Sequence, residues 1–76
     1  MKEEFKRKYK KLGLKIAYYR KLREFTQESL AEAVDINATF LGQVECGARG
    51  ISLDNLFKIS EALEIPTLNF FDYEDY

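Results

Sequence analysis

Apolar residues recur along this chain at the three- and four-residue steps of helical faces, and no segment alternates at the two-residue period of a strand. Phe5, Tyr9, Leu12, Ile16 and Tyr19 follow one another in steps of four and three, which predicts a first amphipathic helix ending around residue 24. Gly13 interrupts that pattern with a poor helix former and puts the proper start of the helix near Leu12. Thr26 is a good N-cap for a second helix over residues 27 to about 34, with Leu30, Ala31 and Val34 facing inward. Asp35 stands where the chain must turn, and Asp tolerates the left-handed region better than most residues. Asn37 caps a third helix over residues 38 to about 45, with Leu41 and Val44 inward, and Gly47 marks its stop. Ser52 caps a fourth, where Ile51 and Leu56 are spaced as a hydrophobic staple and the predicted core face is Leu53, Leu56, Ile59 and Leu63. Pro66 and Thr67 open a last short helix bearing Leu68, Phe70 and Phe71. The pattern predicts an all-α fold of five helices.

The length of 76 residues corresponds to one domain with a modest core, so dimerisation is a natural supplement to its stability. No apolar run approaches the roughly 20 residues that cross a bilayer, and residues 1–11 are too charged for a secretory signal. The expected compartment is the cytoplasm, with no membrane partner. There is no histidine, the commonest general base and metal ligand, and the one cysteine, Cys46, makes neither an internal disulfide nor a metal site alone. No glycine loop cradles a phosphate and no nucleophile is paired with a base, so neither an enzyme, a cofactor nor a metal is expected.

Charge is divided unevenly. Residues 1–25 hold ten basic side chains and three acids, a balance of +7, and residues 26–76 hold two basic side chains and ten acids, a balance of −8. A basic half can meet nucleic acid, or be a solvated helix face. The overall acidity, with a pI of about 5.4, argues against indiscriminate phosphate binding. The expected division is a basic N-terminal extension of the first helix, 1–11, a folded unit, 12–71, and an acidic aromatic tail, 72–76.

The informative stretch is 27–46. Two short helices are separated by a turn at residues 35–37, and the small Ala31 lets the second cross closely over the first while Leu41 and Val44 lock the angle. That is the arrangement of a helix-turn-helix, whose second helix enters a major groove. Three runs carry a resemblance to a known family. They are Phe25-Thr26-Gln27-Glu28-Ser29-Leu30-Ala31, Thr39-Phe40-Leu41-Gly42-Gln43-Val44-Glu45-Cys46-Gly47, and Arg49-Gly50-Ile51-Ser52-Leu53 followed by Leu56, Ile59 and Leu63. With Ile16 and Arg20 ahead of them, they resemble the XRE, or phage-repressor-like, helix-turn-helix family of transcriptional regulators. The Arg49-Gly50-Ile51-Ser52-Leu53 element further resembles controller proteins of restriction–modification systems.

The resemblance implies a five-helix, lambda-repressor-like domain that binds a palindromic double-stranded DNA operator as a homodimer, as a repressor or controller. It assigns DNA contacts to Gln27, to Asn37, Ala38, Thr39, Gly42 and Gln43, and to Arg49. Gln43 has the chemistry for a bidentate pair with adenine, and Thr39 for a base or a thymine methyl. Read from the residues alone, Thr39 and Gln43 are also a solvated helix surface and Asn37 a simple cap. The chain departs from the family with Asp35 where glycine is preferred, Gly42 where serine is frequent, and no cation at Ala38, Cys46 or Ala48.

Arg20 lies on the inward stripe of the first helix and Glu45 on that of the third. Two charges on two inward faces are tolerable only if they meet, and the family has an ion pair there. Leu68, Phe70, Phe71 and Tyr73 are candidates for a dimer interface. The alternative reading is a protein-interaction module, such as an antitoxin or anti-repressor, that has largely lost DNA binding.

Overall fold

A computed structural model describes residues 2–72, and within them the chain is all-helical. After a 3-10 turn at Glu3–Phe5, α1 spans Lys6–Leu22, α2 Gln27–Val34, α3 Ala38–Glu45 and α4 Leu53–Leu63, followed by a 3-10 helix at Thr67–Phe71. Among the described residues four helices are α-helices rather than the expected five. Pro66 cannot donate, and the five residues after it close i→i+3 bonds, Asn69 N to Pro66 O at 2.9 Å and Asp72 N to Asn69 O at 3.4 Å.

α1 does not wait for Leu12. It starts at Lys6 and runs unbroken through Gly13. A Cβ on Gly13 would stand 2.2 Å from the carbonyl oxygen of Val44 and 2.7 Å from that of Glu45. Glycine is present because the end of α3 approaches α1 there with no room for a side chain, and this contact offsets its poor helix propensity. α1 ends at Leu22, short of Glu24, which takes a left-handed φ of 64° in the turn.

The predicted caps form. Thr26 Oγ1 accepts from Ser29 N, and Ser29 Oγ accepts from Thr26 N, both at 2.9 Å. Asn37 Oδ1 accepts from Thr39 N at 2.7 Å and Phe40 N at 3.2 Å, and Ser52 Oγ accepts from Asn55 N at 3.1 Å. Asp35 closes α2 at φ 57°.

The core gathers Ile16, Leu30, Leu41, Leu56, Ile59, Leu63 and Phe70, all at most 1% exposed. Leu53 is not part of it: at 61% exposed it stands on the first turn of α4, beyond the edge of the core. In its place α4 buries Ser60, whose hydroxyl donates to Ile65 O and accepts from Thr67 Oγ1. Phe70 is fully buried and meets Tyr19 edge-on at 5.5 Å, which removes it from the candidate dimer surface. Leu68, 76% exposed, and Phe71, 43% exposed, remain on the surface. Tyr73 lies outside the described residues.

Candidate nucleic-acid interface

α3 is held at its C-terminal end by one buried carboxylate. Glu45 Oε2 accepts from Arg20 Nε at 2.7 Å, and Oε1 accepts from Arg20 Nη2 at 3.0 Å and from Gln27 Nε2 at 2.9 Å. The remaining Arg20 nitrogen, Nη1, donates to Phe25 O at 2.8 Å. Two buried charges are tolerated because the pair is bidentate and further hydrogen bonds complete both groups. Among the described residues no buried side-chain nitrogen or oxygen lacks a partner. The carboxylate therefore joins α3 to α1 and α2, the Arg20 guanidinium adds the α1–α2 turn, and together they fix the orientation of α3.

Gln27 is thus not the free amide that a DNA contact alone would require. One of its N–H groups is committed to Glu45, leaving the other and the carbonyl oxygen. Its side chain lies over Gly42, where a Cβ would meet Gln27 Oε1 at 3.4 Å. Asn37 has its carbonyl oxygen engaged in the cap of α3.

The outward side of α3 carries Thr39, exposed, and Gln43, half-buried, one helical turn apart. Ala38 and Gly42, both half-buried, border them without projecting side chains. Cys46 is exposed at the end of α3, its thiol donating to Gln43 O at 3.4 Å.

Arg49 lies beyond α3, exposed, with its guanidinium carbon 5.1 Å from the centroid of the Phe40 ring. Phe40 stands in the run of residues 39–47 above but has no assigned role there. It packs against the core while supporting Arg49. The α3–α4 loop reaches Arg49 through Gly47, at φ 81°, where a Cβ would meet Lys10 Cα at 2.8 Å. Lys10 consequently lies beside the end of α3, and Lys6 shares an open polar cleft with Arg49, Gly50 and Ser52. Lys8 instead borders an apolar groove with Phe5, Leu53 and Phe71. The N-terminal cations are therefore divided between faces. A second missed contact is structural: Arg23 donates to Leu63 O at 2.9 Å and Glu64 O at 3.4 Å, satisfying carbonyls at the end of α4.

Residues 16–70 match the helix-turn-helix family HTH_3. Control protein C.BamHI of Bacillus amyloliquefaciens is 40% identical over 48 residues, covering 63% of this chain and 59% of that protein, less than two thirds of its length. Control protein C.MunI of a Mycoplasma species is 37% identical over 62 residues, covering 80% of this chain and 84% of the relative. The crystal structure of the restriction-modification controller protein C.AhdI from Aeromonas hydrophila superposes with a TM-score of 0.82 at 31% identity, covering 86% of this chain and 98% of the other.

Proposed function

We propose, from the premise that this chain belongs to the helix-turn-helix family HTH_3, that it is a DNA-binding transcriptional regulator of the controller kind, reading a palindromic operator as a homodimer. The control proteins it resembles are regulators rather than enzymes, and the same role is taken for this chain in the cytoplasm. Among the described residues no helix is long and apolar enough to cross a membrane.

The observation that carries the reading is the outward face of α3. Thr39 and Gln43 stand side by side, bordered by the small Ala38 and Gly42, on a helix locked from behind by Glu45. A major groove accepts such a helix end-on or lengthwise, and small residues beside the reading side chains allow close approach to base edges. Gln43 pairs with an adenine and Thr39 with a neighbouring base or methyl group. Arg49, the free N–H of Gln27 and the amide of Asn37 meet the flanking backbone and set the register. Lys6 and Lys10 supply the long-range phosphate attraction that α3, which has no cation, cannot. The paired subunit is joined through the exposed Leu68 and Phe71.

Selection of bound duplexes from a random pool tests this reading. A palindromic consensus with half-sites one helical turn apart is expected. Failure to enrich any sequence at low salt would replace it with the protein-interaction module.

A further inference from the structure

α1 carries a second apolar stripe that the fold does not use. Leu14, Tyr18 and Leu22 recur every fourth residue and are 58%, 59% and 55% exposed, on the side of the helix turned away from buried Leu12, Ile16 and Arg20. They extend about 12 Å along the axis. Three large apolar side chains in one row form contiguous surface, unlike the scattered exposure normal to any protein. The row is also anchored. The Tyr18 ring meets Tyr19 edge-on at 5.0 Å, and Tyr19 meets the buried Phe70 at 5.5 Å.

Charge narrows what covers it. Lys11, Lys15 and Lys21 each stand three residues from Leu14 or Tyr18, and Lys6–Leu22 contains no acidic residue. A second copy laid stripe to stripe would set these lysines against one another. DNA is reached by the outward face of α3, and Gly13, through which α1 meets α3, lies outside the stripe. What remains complementary is an apolar ridge bordered by carboxylates.

We propose that the outer face of α1 docks an acidic amphipathic helix of a partner protein, one presenting apolar residues at three- and four-residue spacing with Asp or Glu beside them. The docking row lies apart from Thr39 and Gln43, with Lys10 one helical turn before Leu14 between the two faces.

The test is a nuclear magnetic resonance titration of the full chain with a designed helical peptide that has leucines along one face and glutamates flanking them. Its twin has lysine at every glutamate, and vesicles of phosphatidylglycerol form a third arm. The glutamate peptide should shift amides of α1 around Leu14 and Leu22 saturably, and its affinity should fall with salt. Leu14→Ser, Tyr18→Ser and Leu22→Ser together should weaken it by about tenfold or more, with DNA binding unchanged. Should the triple variant fail to fold, Leu14→Ser alone should give a partial loss. Equal binding of the lysine peptide, shifts centred away from α1, or binding to vesicles without binding to the peptide would overturn the proposal.

Discussion

The guanidinium carbon of Arg49 lies 5.1 Å from the centroid of the Phe40 ring, so the cation just beyond α3 is held by a residue of α3. A cation over an aromatic face gains about 0.5–1 kcal/mol at an exposed site. Arg49→Gln should weaken binding on all sequences alike and reduce the salt slope by about one. Phe40→Leu should lose part of that contribution, and only while Arg49 is present. A double-mutant cycle on DNA affinity measures this directly, and a coupling energy of zero would show that the two contribute independently.

Arg20 and Glu45 illustrate how burial turns a charge into a structural part. Arg20→Ala leaves the Glu45 carboxylate buried with only Gln27 as partner and should cost about 3–5 kcal/mol of stability, read as a lowered melting temperature. If the variant melts like the parent but loses DNA binding, Arg20 acts on phosphate instead.

Two glycines in helices should respond oppositely to the same substitution. At Gly13 a methyl group would collide with the Val44 carbonyl, and Gly13→Ala should destabilise by about 1–3 kcal/mol as α1 and α3 move apart. At Gly42 the nearest atom stands 3.4 Å away, and Gly42→Ala should stabilise by about 0.5–1 kcal/mol through helix propensity. Denaturant titrations of both variants check the pair.

The difference between these glycines also explains what the sequence does and does not disclose. Caps and turns are local, so Thr26, Asn37, Ser52 and Asp35 announce themselves through hydrogen bonds or dihedral angles within a few residues. Gly13 looks like a weakness in α1 because its reason lies on α3, more than thirty residues later. Periodicity assigns Leu53 to the inner face of α4 but does not say where the core stops, and the first turn of α4 lies past its edge. Leu68, Phe70 and Phe71 are equally apolar in sequence, and only the 3-10 winding turns Phe70 alone inward. Arg20 and Glu45 could be matched because each lies on an inward stripe. Phe40 could not, since its partner is in a loop.

Leu68 and Phe71 are the exposed apolar residues of the C-terminal 3-10 helix, and Phe71 borders the groove lined by Phe5 and Leu53. Changing both to Ser should shift the protein from dimer to monomer in sedimentation at micromolar concentration while leaving the buried Phe70 in place. DNA affinity should fall with it, because linked half-sites gain from effective concentration. A parent protein that is monomeric with and without DNA would rule out the homodimer.

Reading of base edges by α3 is tested most directly by Gln43→Ala. Its affinity should be measured against the selected duplex and against the same duplex with both half-sites scrambled. The side chain stands on the outward face of α3, away from the Arg20–Glu45 pair, so the variant should fold as the parent does. It should lose about 1–3 kcal/mol on the selected duplex and little on the scrambled one, with preference relaxed at a single base pair in each half-site. Equal losses on both duplexes would contradict the account and make Gln43 a surface residue that reads no sequence.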